Sequence, residues 1–94
     1  MTNDKVNKAL QECVDYFKTK GCAVRRFDSE SVRPMGADAL RHAHWMALEA
    51  MAFPPEKLEK KMRWLGFIQG TLFTLGHHTI RQLKEMNMPD DERG

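Results

Sequence analysis

Six apolar side chains, Val6, Ala9, Leu10, Cys13, Val14 and Phe17, fall at i, i+3, i+4, i+7, i+8 and i+11, a spacing that gathers residues on one face of an α-helix. An amphipathic helix of this length is marginal alone in water, so the rest of the chain has to cover its stripe. The flanking residues match helix ends. Thr2 or Asn3 supplies an N-cap, Asp4 sits in the first turn, and Lys18, Lys20 and Gly21 give a basic last turn and a C′ glycine. The pattern predicts a first helix over about residues 3–20.

The covering elements also read as helices. A second is expected over residues 37–52, ending because Phe53 precedes Pro54, whose ring disfavours helical geometry in the residue before it. Pro54-Pro55 then makes a tight connection, with one proline in the first turn of a third helix over 55–75 and Glu56 and Glu59 near its positive end. Gly76 closes that helix, Thr79-Ile80-Arg81-Gln82 has the spacing of a capping box for a last helix over 79–87, and Met88-Pro89 stops it. Residues 22–27 read as a connector whose Val24 and Phe27 cover the core, because a lone strand has no partner. Residues 28–36 are polar, with Pro34 and Gly36 near the end, and read as a loop. The tail, 90–94, has no apolar anchor and is expected to fray. The fold expected is all-α, one domain over 1–94, with three longer helices, a short C-terminal one, and helices 2 and 3 in an antiparallel hairpin.

At 94 residues the chain has room for one core that needs no staple. With 41% hydrophobic and 30% charged residues it is ordinary globular material, and seven Met suit an adaptable core or contact surface. Two cysteines, Cys13 and Cys22, fit a reducing compartment better than a disulfide framework. No signal-peptide pattern is visible, and no apolar run reaches the ~18 residues a membrane span requires. We therefore expect a soluble intracellular protein without a membrane partner. Fifteen basic and 13 acidic residues are interspersed, for a net charge of +2, unlike the footprint of a dedicated nucleic-acid binder.

Within the third helix, Arg63-Trp64-Leu65-Gly66-Phe67-Ile68-Gln69-Gly70 places two glycines four apart. Each costs a helix roughly 0.5–1 kcal/mol relative to alanine, which implies close approach of something to that backbone. Ala39, Ala43, Ala47 and Ala50 form a small-residue ridge on helix 2, and packing of Gly66 and Gly70 against it is the expected source of the hairpin. The alternative is a symmetric contact between two chains through the same glycine face. Leu65, Phe67 and Leu72 are assigned to the core. Apolar residues on more than one face of helices 2 and 3 further suggest a homo-oligomer, with a dimer first.

For chemistry the sequence is sparse. His42 and His44 point in divergent directions on a helix, as do His77 and His78. With no HExxH, CxxC or paired-carboxylate arrangement, no metal, cofactor or catalytic residue is assigned. Trp45 and Trp64 are candidate interface anchors. Lys57, Lys60, Lys61 and Arg63 crowd the start of helix 3, and Arg25 and Arg26 make a second cluster. Both clusters suit an acidic protein surface or phosphates, and both also fit a solvated face, since Glu56 and Glu59 interleave with the lysines.

The C-terminal half, from His44-Trp45-Met46 through Arg63-Trp64-Leu65-Gly66-Phe67-Ile68-Gln69-Gly70 to Gly76, Thr79-Ile80, Leu83-Lys84 and Asn87-Met88-Pro89, resembles a family of small proteins encoded by tailed phages and prophages. In that family an RWLGFxQG segment precedes a glycine and a final short helix of the type (S/T)-I-x-x-(L/M)-K. The resemblance implies a phage protein working in the host bacterial cytoplasm and transfers no catalytic residue. Together with the small size and the excess of apolar surface, it gives the expected function: a helical, non-enzymatic protein that binds and modulates a host macromolecule, as in counter-defence or host takeover. A second reading is a nucleic-acid-binding accessory protein using Lys57, Lys60, Lys61, Arg63, Arg25 and Arg26. A third is capture of a nucleotide-like ligand at an oligomer interface, with a Trp or Tyr16 stacking and arginines on phosphates.

Overall fold

The computed structural model describes residues 1–28 and 36–88, and every regular element among them is helical. Helix α1 runs from Asn3 to Thr19 and buries Val6, Ala9, Leu10, Cys13, Val14 and Phe17, the full stripe read from the sequence. Thr2 caps it, its hydroxyl accepting the Lys5 N–H at 3.2 Å. Gly21, at φ 68°, ends it in the left-handed conformation that suits glycine, and the Cys22 N–H returns to the Phe17 carbonyl at 2.9 Å. Cys13 lies so deep in this face that burial, aided by Glu12, pushes its thiol up to about 12.

Helix α2 spans Ala37–Ala52 and stops where Phe53 turns extended before Pro54. Ala43, Ala47 and Ala50 are buried in the common core, whereas Ala39 is half-buried outside it. The third helix divides where the sequence predicts continuity: Pro55–Lys57 form one turn of 3₁₀ helix, and α3 occupies Leu58–Thr74. Helix α4, Ile80–Asn87, carries the capping box, with Thr79 Oγ1 accepting the Gln82 N–H at 3.1 Å and Gln82 Oε1 accepting the Thr79 N–H at 2.8 Å.

Helices α2 and α3 pack as the expected hairpin, and α1 lies against both. The contact surface of that hairpin is not the expected one. Gly66 and Gly70 are exposed, and a Cβ at either would meet nothing within 4 Å. The inward face of α3 consists of Lys61, Leu65, Ile68, Gln69 and Leu72, so the glycines point away from the alanines of α2. Leu65 and Leu72 join the core as assigned, but Phe67, on the outer face, is 58% exposed. α4 docks on α1 through its one buried residue, Met86, which accepts from Cys13 Sγ at 3.8 Å and from Gln69 Nε2 at 3.3 Å. The expected loop over 28–36 and the frayed tail over 90–94 lie almost wholly outside the described residues. No helix among the described residues is long and apolar enough to cross a membrane.

Candidate functional site

The connector after α1 is bound to α2 side by side. The Arg25 N–H donates to the Arg41 carbonyl at 3.2 Å, His44 Nδ1 donates to the Cys22 carbonyl at 3.0 Å, and the Phe27 N–H donates to His42 Nδ1 at 3.2 Å. Val24, expected to cover the core, is instead 48% exposed in this hydrogen-bonding register. The register brings Arg25, Arg26 and Phe27 against the exposed flank of that helix.

The result is a continuous ladder of rings and cations. Arg25 lies over the Phe27 ring at 4.7 Å, Phe27 meets His42 edge-on at 6.0 Å, and His42 stacks on Trp45 at 5.6 Å. Arg26 covers the Trp45 ring at 5.2 Å. From Trp45 the ladder crosses to α3 through Trp64 at 6.0 Å and turns back to Phe53 at 4.8 Å. Lys60 closes it, with Nζ 4.7 Å from the Phe53 centroid and 5.6 Å from that of Trp64. Trp45, Trp64 and Phe53 are half-buried and rest on the core, while Arg25, Arg26 and Lys60 are exposed. Rings fixed from below and exposed cations above are the groups that recognise anionic or planar partners.

Electrostatics sort the cations further. Asp38 binds Arg41 at 2.8 Å and stands 3.8 Å from Arg25, so Arg25 is partly neutralised. Arg26 and Lys60 face rings instead. Burial first, and Arg26 second, hold the His42 imidazole below its ordinary pKa. The neutral ring is the form that accepts the Phe27 N–H and stacks beside a guanidinium without repulsion.

Of the residues singled out by sequence, the fold brings together Arg25, Arg26, Trp45, Lys60 and Trp64. Lys57 and Arg63 are exposed and join no ring contact in the ladder. Lys61 does not belong to the surface at all. It is 1% exposed, and its Nζ donates to Asn3 Oδ1 at 2.7 Å and Asn7 Oδ1 at 3.0 Å. It shares the inward face of α3 at i−4 from Leu65 and i−7 from Ile68, so it clamps α1 to α3. In the sequence His42 is weighed only for metal binding, and set aside because it diverges from His44, although its i, i+3 spacing to Trp45 places the two rings on one face. Among the described residues no three His, Cys, Asp or Glu side chains are grouped to hold a metal ion.

A second, smaller cluster sits at the C-terminal end of α1. Tyr16 Oη lies 2.6 Å from His77 Nδ1, and the Tyr16 ring meets His78 edge-on at 4.6 Å. Burial, then His77, lower the His78 pKa. No family model matches this chain, and neither the curated proteins nor the solved structures compared with it contain a match.

Proposed function

We propose that this is a phage-encoded, non-enzymatic binding protein that modulates a host macromolecule by docking an acidic surface on the ladder formed by Phe27, His42, Trp45, Trp64 and Phe53. The observation that carries the reading is the convergence of two sequence-remote basic segments, Arg25-Arg26 and Lys60, on one row of half-buried rings. Aromatic and arginine side chains dominate the centres of protein interfaces, and rings already packed lose little freedom on binding. The resemblance of the C-terminal half to small tailed-phage proteins supports a host partner in the bacterial cytoplasm.

The alternation of cations with rings also favours a second reading, binding of single-stranded nucleic acid, in which bases stack on the indoles and phosphates meet Arg26 and Lys60. One experiment separates the two. The tagged protein, alongside R26E and K60E variants, is incubated with nuclease-treated host lysate and, separately, with labelled DNA and RNA across a salt series. Host protein retained by the wild type and lost by both variants supports the first reading. Nucleic-acid binding that weakens steeply with salt supports the second, since each phosphate contact releases counterions. If neither ligand binds, or if both variants bind as well as the wild type, the ladder is not the functional surface.

A further inference from the structure

We infer that His42 is an acid-sensitive latch: on taking up a proton, its ring releases Arg26 and Phe27 from α2 and dismantles the connector's half of the ladder. Of the three hydrogen bonds that tie the connector to α2, two survive protonation of any imidazole. The Arg25 N–H donates to a backbone carbonyl, and His44 is itself the donor to the Cys22 carbonyl. The third, from the Phe27 N–H to His42 Nδ1 at 3.2 Å, does not. An amide N–H binds only a ring nitrogen that carries a lone pair, so Nδ1 is bare and Nε2 holds the hydrogen. Imidazolium has two donors and no acceptor. Neither the present ring orientation nor one flipped by half a turn then offers the Phe27 amide a partner.

The same proton loosens Arg26. His42 stacks on Trp45 at 5.6 Å, and the Arg26 guanidinium stands 5.2 Å from the centroid of that indole. A charged imidazole is itself welcome on an indole face, so it keeps its stack and competes with Arg26 for the ring. Arg25 remains tethered through its backbone, which makes the Arg25–Arg26 link the hinge.

The described groups around His42 oppose a further charge there. The connector brings Arg25 over Phe27 and Arg26 over Trp45, with Asp28 following in sequence. On α2, Asp38 lies one turn earlier, and Arg41 and His44 are near neighbours in sequence. α3 reaches the stack through Trp64, beside which stands Lys60. Asp38, the carboxylate nearest on α2, is already bound to Arg41 at 2.8 Å and stands 3.8 Å from Arg25. Burial and then Arg26 hold the imidazole below its ordinary value, and the Phe27 N–H acts in the same direction because it binds only the neutral ring. Docking is therefore complete above about pH 6.5 and is lost as pH falls through the latched value. The consequence for a partner rests on the docking role proposed above: an acidic surface held by Arg26 is let go in mild acid.

NMR titration of the free chain from about pH 7.5 to about pH 5 follows the His42 ring and the Phe27 amide together. Both are expected to move with one midpoint, below 6.5. Across it, hydrogen-exchange protection of the Phe27 amide should fall about tenfold while that of Arg25 holds. F27P lacks the donor and is expected to bring the His42 midpoint up toward 6.5, further than F27A, which keeps the N–H. H42F should leave the Phe27 amide unprotected already at neutral pH, and H42Q, whose carbonyl accepts at any pH, should remove the pH dependence. A Phe27 amide that does not follow His42, or a His42 midpoint no higher in F27P than in F27A, overturns the latch. Retention on immobilised polyaspartate, which stays ionised down to about pH 5.5, reads the docking role separately. Wild-type retention that falls on acidification, while that of H42Q persists, supports the latch, since a chain gaining positive charge should otherwise bind more. Wild-type retention undiminished at the lower pH overturns it. A chain that binds no polyaspartate, yet whose Phe27 and His42 signals titrate together, supports the latch and removes the docking role alone.

Discussion

Gln69 and Asn87 exchange both of their amide hydrogen bonds, Gln69 Nε2 to Asn87 Oδ1 at 2.8 Å and Asn87 Nδ2 to Gln69 Oε1 at 3.0 Å. Gln69 is itself buried and also donates to the Met86 sulfur, so one side chain on α3 fixes the last turn of α4. The short final helix has a single buried residue and little apolar area to hold it otherwise. Replacing Gln69 by Leu leaves the Asn87 amide without its partner and is expected to cost about 1–3 kcal/mol. Denaturant unfolding measures the loss, and hydrogen exchange should show α4 opening before α2 or α3. The Q69L/N87L double variant is expected to be more stable than the sum of the single changes implies, since the two amides satisfy each other.

Lys61 is enclosed with two amide oxygens, those of Asn3 and Asn7, as its acceptors. A buried amine held by neutral partners is a poor source of net stability because desolvation opposes its hydrogen bonds. K61M keeps the aliphatic stem and is expected to change stability by no more than about 1 kcal/mol. K61A opens a cavity at the α1–α3 contact and is expected to cost about 2–4 kcal/mol. Thermal melts of both variants check the pair. Partner binding by K61M should equal that of the wild type, in contrast to K60E one residue earlier.

The outward glycines give a prediction opposite in sign to the one their sequence suggests. Against an alanine ridge, any side chain at Gly66 or Gly70 would push α2 and α3 apart. In the observed fold G66A and G70A add helix propensity in open space and are expected to stabilise the chain by about 0.5–1 kcal/mol each. The measurement is a thermal melt of each variant beside the wild type.

His42 and His78 both sit below the ordinary histidine value of 6.5, mainly through burial, with Arg26 and His77 respectively adding repulsion. A depressed folded pKa means that the unfolded chain takes up the proton first as pH falls. Stability is therefore expected to be complete above pH 6.5, to decline as pH drops through that value, and to level off below the folded pKa values. Melting temperature followed from pH 7.5 down to about pH 5 tests the sign. H42Q should flatten the decline and weaken the docking of Phe27 on α2.

The sequence discloses the elements more completely than the faces. α1 has one apolar stripe, so its inward side is unambiguous, and the Thr79/Gln82 capping box and the Phe53-Pro54 stop are local chemistry that needs no tertiary context. α3 is apolar on two sides. Leu65, Ile68 and Leu72 compete with Phe67 and Phe73 for the core, and periodicity alone gives both sets a helical spacing. The presence of Lys61 in the winning set, on the same face as Leu65, made that face look less apolar than its rival. The ladder was half legible. Its indoles and cations are obvious residue types, but their convergence depends on hydrogen bonds from the connector to Arg41, His42 and His44, which no spacing rule reveals.

The clamp at Lys61 also bears on the order in which the chain assembles. Three of the side-chain contacts of α1 reach partners 58, 61 and 73 residues away, at Lys61, His77 and Met86, whereas α2 and α3 are joined by a single short turn. Loop-closure entropy favours zipping the hairpin first and delays the arrival of α1. Truncations in α1, such as V14A, are then expected to accelerate unfolding with little effect on the folding rate, and truncations in the hairpin, such as I68V, to slow folding. Stopped-flow chevrons for the two variants would register α1 as a late-closing cover over a hairpin that forms ahead of it.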